Sequence, residues 1–170
     1  LLARTTNGQT QRGWTWNWSG HAEKGYALPE IVVGWKPWLG GRSTDARFPV
    51  ALSGIRRLQV DFDVELRAHG TYNLMLNLWF VRERPRDLHA RHELISAELM
   101  LDLDYSDDVP RKPLAETCAF AGIEHQLWFG HESEGPRLEP WPSITLARTR
   151  RTTRGSVDLG AVLQRLVQKG

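Results

Sequence analysis

A single cysteine, Cys118, is present among 170 residues, so no disulfide can close within the chain, and neither a thiolate zinc site nor a C-x-x-C redox pair can be built. Cysteine usage therefore leaves the redox compartment undetermined. No run approaches the roughly 18 apolar residues that a membrane helix needs, which argues against a membrane partner. The opening Leu1-Leu2-Ala3-Arg4 is too short for the apolar core of a signal peptide and reads as the start of an already trimmed or incomplete chain. Neither sign of charge dominates: 22 Lys and Arg stand against 20 Asp and Glu, a net charge of +2. That balance implies no nucleic-acid partner. The densest basic stretch, Arg148, Arg150, Arg151 and Arg154, is broken by threonines without interleaved aromatics, the pattern of a solvated strand-to-turn segment. Also missing are a G-x-S-x-G elbow, a Walker loop and a dinucleotide fingerprint. Among the histidines only His89-x-x-His92 has a ligand-like spacing, inside a charged stretch (82–93) that reads as a loop, so no metal is expected.

Hydrophobic residues at 41% and charged residues at 25% exclude a disordered tail and a collagen-like fibre. Their number suits one domain over residues 1–170 with a core of its own. Tryptophan is abundant, with eight residues. Flat indoles either cover the apolar faces of sugar rings or fill a thick β-sandwich core, and composition does not choose between these uses.

Alternation with period two dominates the chain, as half-buried antiparallel strands require. Over Leu58 to Leu66 the residues Leu58, Val60, Phe62, Val64 and Leu66 share one face, with Gln59, Asp61, Asp63 and Glu65 on the other. Asn73 to Phe80 sets Leu74, Leu76, Leu78 and Phe80 against Asn73, Met75, Asn77 and Trp79. Ala97 to Tyr105 sets Leu99, Leu101 and Leu103 against Glu98, Met100, Asp102 and Asp104. Further strands are predicted at Trp14 to Trp18, Glu30 to Val33, Ile123 to Phe129 and Ser143 to Arg148. Many short strands separated by Gly and Pro turns point to an all-β sandwich or barrel. Leu159, Val162, Leu163, Leu166 and Val167 instead fall at helical spacing after Asp158, a suitable N-cap, and before Gly170, a suitable C′ residue. One helix of about three turns is predicted there, packed on the outside of a sheet.

Glu98 is the sharpest candidate for chemistry. It sits mid-strand on a face shared with Met100, beside a strand that offers Asn73, Asn77 and Trp79. A sugar-binding groove needs this mixture: amides for hydroxyl groups, indoles for ring faces, and a carboxylate as nucleophile or base. The same pattern also describes an ordinary solvated strand face. Retaining glycosidases place two carboxyl groups about 5 to 5.5 Å apart. Glu98 and Asp102, four residues along one strand, lie about 13 Å apart, so a partner carboxyl must come from another strand.

These segments, taken in order, carry a resemblance. Trp14-Thr15-Trp16-Asn17-Trp18-Ser19-Gly20 is similar to the Trp-x-Trp-Ser-Gly strand of family 12 glycoside hydrolases, and Tyr26 to Trp38 resembles the segment that follows it. Phe48-Pro49-Val50 with Leu58 to Leu66 resembles the next strand pair, and Asn73 to Trp79 the strand bearing the family's auxiliary acid. Glu98-Leu99-Met100-Leu101 is similar to the signature around the nucleophile, and residues 155–170 resemble the single helix with its approach. The resemblance spans residues 14–170. It implies a jelly roll of two curved antiparallel sheets with an open concave cleft and one helix. It also implies endo-acting, retaining hydrolysis of β-1,4-glucan (cellulose, mixed-linkage glucan or xyloglucan), with no cofactor. Glu98 would be the nucleophile, and Trp16, Trp35, Trp38, Asn73, Asn77, Met100 and Trp128 would line the cleft, although core packing is an equal use for each Trp. A monomeric, secreted enzyme acting on polysaccharide is expected from the family.

Three departures accompany the resemblance. Asp102 stands where the family has Trp, four residues after the nucleophile. Asn77 stands where it has an acid, and an amide can hydrogen-bond Glu98 without repelling its charge, so the nucleophile would titrate closer to an ordinary Glu. The family's acid/base Glu lies on a strand after the helix, which this sequence does not contain, and an early strand with a stacking Trp is missing as well. The two readings carried forward are a glucan hydrolase and a diverged, inactive β-sandwich that binds glycans or another protein.

Overall fold

The computed structural model describes residues 2–6, 9–13, 30–38, 41–84, 89, 91–107, 113–120, 122–132 and 139–169. The chain divides into two compact units, Leu1–Val32 and Val33–Gly170. The first contains an antiparallel hairpin of β1 (Leu2–Thr6) and β2 (Gln9–Gly13). The predicted Trp14 to Trp18 strand lies outside the described residues.

The second unit holds two sheets and a helix. Five strands form the larger sheet: β4 (Asn73–Val81), β5 (Ile95–Tyr105), β6 (Glu116–Phe120), β7 (Ile123–Glu132) and β8 (Trp141–Arg148), in the order β4-β5-β8-β7-β6. A two-stranded sheet pairs β3 (Gln59–Asp63) with β9 (Arg154–Asp158). This is the β-sandwich architecture of a jelly roll, as expected. One detail differs: β5 and β8 run parallel, where antiparallel pairs are expected throughout. The chain leaves β5, builds β6 and β7, and only then returns beside β5, the long excursion that a parallel pair requires.

The alternating residues meet between the sheets. Leu99, Leu101 and Leu103 of β5 cluster with Leu127, Leu146 and Val157, and Leu74, Leu76, Leu78, Val60 and Phe62 pack around them. Each fully buried Leu side chain contributes about 1.5 to 3 kcal/mol by leaving water. Helix α1 (Leu159–Lys169) adds Leu159, Val162 and Leu163 to the same cluster. Its start is fixed as the sequence predicts: the Asp158 carboxylate accepts from the Ala161 N–H at 3.0 Å, which satisfies one of the free donors of the first turn. Gly170 lies outside the described residues.

Three expectations fail. The strand predicted over Leu58 to Leu66 ends at Asp63, and Leu66 is exposed. Glu30 to Val33 is irregular backbone rather than a strand, and Ile31 and Val33 are exposed; three consecutive β-branched residues give no apolar-polar alternation, and β propensity alone does not make a strand. Arg148 is buried rather than solvated. Its guanidinium donates to the Ser156 carbonyl at 3.3 Å and lies 5.7 Å from the Phe62 ring, and burial lowers its pKa. The other arginines of that basic stretch are exposed.

Candidate functional site

Glu98 lies near the middle of β5 with its Cα opposite Trp79 of β4 and Ser143 of β8. Its side chain points to the sheet face that the leucines avoid, and it is only 5% exposed. Both carboxylate oxygens are engaged. Oε1 accepts from the Asn77 Nδ2 amide at 2.8 Å, and Oε2 accepts from the Trp141 indole Nε1 at 3.0 Å. The first contact is the hydrogen bond expected of an amide at position 77. A buried carboxylate requires such donors, because a charge taken out of water is stable only when its lone pairs are satisfied.

Aromatic rings extend from this carboxylate. Trp141 meets Trp79 edge to face at 5.4 Å between ring centroids, and Trp79 meets Trp38 at 4.1 Å. The Lys36 ammonium sits 4.7 Å over the Trp38 ring. Trp38 belongs to a loop whose turn depends on Gly34. Its φ is +109°, and a Cβ there would lie 2.8 Å from the Phe48 Cβ, so no other residue fits without a shift. The Gly34 N–H donates to the Thr44 hydroxyl and the Thr44 N–H to the Gly34 carbonyl, each at 2.8 Å, which closes the loop.

The structure thus brings Glu98, Asn77 and Trp141 into contact and continues the row through Trp79 to Trp38. Met100 lies on the same face, its Cα opposite Asn77 and Thr145. Trp128 is buried, opposite Thr145. Asn73 serves a different carboxylate. Its amide donates to Asp102 at 2.9 Å, and Asp102 is fully buried. Trp35 is half-buried, with its indole Nε1 enclosed and unpartnered. Trp16 lies outside the described residues. Ser143, beside Glu98, donates to Glu132 at 3.1 Å, which places a second carboxylate on the neighbouring part of the sheet.

Sequence reasoning places Trp79 beside Glu98 without counting it among the lining residues, and it misses Trp141 altogether. Trp79 carries a visible signal, since it shares a strand face with Asn73 and Asn77. Trp141 carries no local signal, because its partner is 43 residues away and reaches it only through the β5–β8 pairing. Among the described residues no group of three or more His, Cys, Asp or Glu could hold a metal ion, and no helix is long and apolar enough to cross a membrane. A groove of about 590 Å³ elsewhere in this unit, lined by Asp63, Glu65, Arg67, Tyr72, Asp104 and Arg154 among others, includes neither Glu98 nor a tryptophan.

No family model matches the chain. Endoglucanase S of Pectobacterium parmentieri is 24% identical over 165 residues, covering 95% of this chain and 60% of that protein. A family 12 xyloglucanase from Bacillus licheniformis superposes with a TM-score of 0.69 at 20% identity, over 80% of this chain and 56% of that one. A metagenome-derived family 12 endoglucanase superposes with a TM-score of 0.64 at 24% identity, over 81% of this chain and 56% of that one. The chain therefore spans 60% of the length of the curated relative and 56% of each of the two structures. Among the described residues, the two sheets of the second unit and the C-terminal helix agree with the fold that the sequence resemblance implies: in fold, this chain resembles the family 12 glycoside hydrolases.

Proposed function

We propose that this protein hydrolyses internal β-1,4-glucosidic bonds of glucans by a retaining mechanism, with Glu98 as the nucleophile. One observation carries the reading: a buried carboxylate at mid-strand is held at both oxygens by donors that do not titrate, beside a row of indoles that runs toward Trp38. The names of the similar proteins, endoglucanase and xyloglucanase, support the substrate class.

In this mechanism a Glu98 oxygen bonds to the anomeric carbon while the glycosidic bond breaks and its electron pair stays on the leaving oxygen. That oxygen takes a proton from a second carboxyl group, and water later cleaves the glycosyl ester to regenerate Glu98. Asp102 is not that proton donor, since it is fully buried and four residues along the same strand; the donor belongs to another strand. Trp38 and Trp79 supply apolar ring faces for stacking, and Met100 and Asn77 complete the surface near the reacting bond. The protein acts as a secreted monomer on polysaccharide without a cofactor.

Reducing-sugar release from carboxymethylcellulose, mixed-linkage glucan and xyloglucan tests the reading. The wild type is expected to release sugar from at least one polymer. Glu98→Gln is expected to lose at least about 10³-fold in kcat while still binding the polymer, as removal of a covalent nucleophile does. Absence of release by the folded wild type, with glucan binding retained, would overturn hydrolysis in favour of an inactive glycan-binding sandwich.

A further inference from the structure

Trp141 differs from the other indoles of the row in what it does with its nitrogen. It is 4% exposed, sits at the first position of β8 and donates to Oε2 of Glu98 at 3.0 Å. Asn77, which donates to Oε1, is exposed. The two carboxylate oxygens therefore face different surroundings: Oε2 is turned toward a buried ring, and Oε1 toward the open side of the sheet.

We infer that Trp141 is a positioning residue, whose indole N–H fixes Glu98 as an oriented carboxylate with Oε1 presented for attack. The inference rests on the reading of Glu98 as the nucleophile. Several features make the donor rigid. The ring packs edge to face on Trp79, proline precedes and follows it at 140 and 142, and the backbone is held in the β8 ladder opposite Glu132. An indole N–H donates but does not ionise, and neither does an amide. Both of these donors therefore favour the charged form of Glu98, and neither can exchange a proton with it. A carboxylic acid in either place would couple its titration to that of Glu98. When Oε1 bonds to the anomeric carbon, the carboxylate becomes an ester whose carbonyl oxygen is Oε2, still within reach of the indole. The contact thus survives the step and holds the geometry through it.

The test follows the two groups directly in the intact protein by NMR. The indole N–H signal of Trp141 is expected to titrate with the same midpoint as the Glu98 carboxyl carbon, and to lose that titration in Glu98→Gln. Trp141→Phe removes the donor, and replacement of Trp141 by benzothienylalanine removes it while keeping the ring volume should the Phe variant fail to fold. Either change is expected to raise the Glu98 midpoint by roughly one unit, the size of one charge-assisted hydrogen bond. The acidic limb of kcat/KM is expected to move by the same amount, with kcat/KM falling about 10-fold. A Glu98 midpoint unmoved in the benzothienylalanine protein, or a Trp141 N–H signal that does not titrate, would overturn the inference. Midpoints that move while the wild type releases no sugar would leave the clamp standing and remove the hydrolase reading alone.

Discussion

On one face of β5, Leu99, Leu101 and Leu103 are at most 1% exposed; on the other, Glu98 is 5% and Asp102 0% exposed. A strand with one apolar and one acidic face would ordinarily be half wet. Here Glu98 and Asp102 are as dry as the leucines, although Met100 and Asp104 on their face are half-buried, and the two sets differ in what compensates for the loss of water. The leucines need only contact with Leu127, Leu146 and the inward residues of β3. The carboxylates need donors, among them Asn77 and Trp141 for Glu98 and Asn73 for Asp102. Burial alone therefore does not separate a core residue from a site residue on this strand; the hydrogen-bond partner does.

Truncation of the apolar face is expected to have the largest effect. Leu101→Ala removes a wholly buried side chain at the centre of the cluster and should cost about 2 to 5 kcal/mol, measured by urea denaturation. A loss below about 1 kcal/mol would mean that the sheets close around the gap and that this face is less tightly packed than its burial indicates. A smaller loss is expected across the strand. Asp102→Leu replaces the buried carboxylate by a larger apolar side chain and leaves the Asn73 amide without its acceptor, at about 1 to 3 kcal/mol. If Asp102→Leu instead stabilises the protein, as apolar replacement of buried ionic groups sometimes does, the acidic face is retained for something other than folding.

How far this contrast is legible in the sequence follows from the range of each interaction. Alternation is local, so the strands around Leu74 to Leu78, Leu99 to Leu103 and Ile123 to Phe129 are readable, and so is the placement of Glu98 opposite the leucines. The helix is readable down to its cap, since Asp158 and Ala161 are three residues apart. Other strands are not. Glu116–Phe120 is a five-residue edge strand, and Arg154–Asp158 buries only Val157, so neither carries a periodic signal. The burial of Glu98 and Asp102 is equally hidden, because their donors lie on other strands, 21, 43 and 29 residues away. Only the sheet order brings them together.

The cap offers a smaller and more local perturbation. Asp158→Ala removes the acceptor for the Ala161 N–H and should cost about 1 kcal/mol. Asp158→Asn, which keeps an oxygen acceptor, should recover most of it; failure to do so would assign the loss to the charge of Asp158 rather than to the cap.

His125 supplies the mildest effect and one that varies with pH. It is 2% exposed on β7, beside Phe120 at 5.5 Å, and its Nδ1 lies 2.9 Å from the Ile123 carbonyl. A carbonyl only accepts, so Nδ1 carries the hydrogen in the neutral ring. Burial lowers the pKa of His125 below the ordinary value of 6.5, and the nearby Arg148 charge lowers it further, against a raising contribution from the Ile123 carbonyl. In the unfolded chain the ring binds a proton as pH falls through about 6.5, while in the folded protein it resists until lower pH. Between those two midpoints the unfolded state holds more protons, so stability falls as pH drops through that window and is flat above it. His125→Gln cannot take up a proton, and its stability should lack that slope between about pH 7 and 5 while other titrations remain. Equal slopes in the two proteins would mean that water reaches the ring and that this end of the apolar face is wetter than the leucines at its centre.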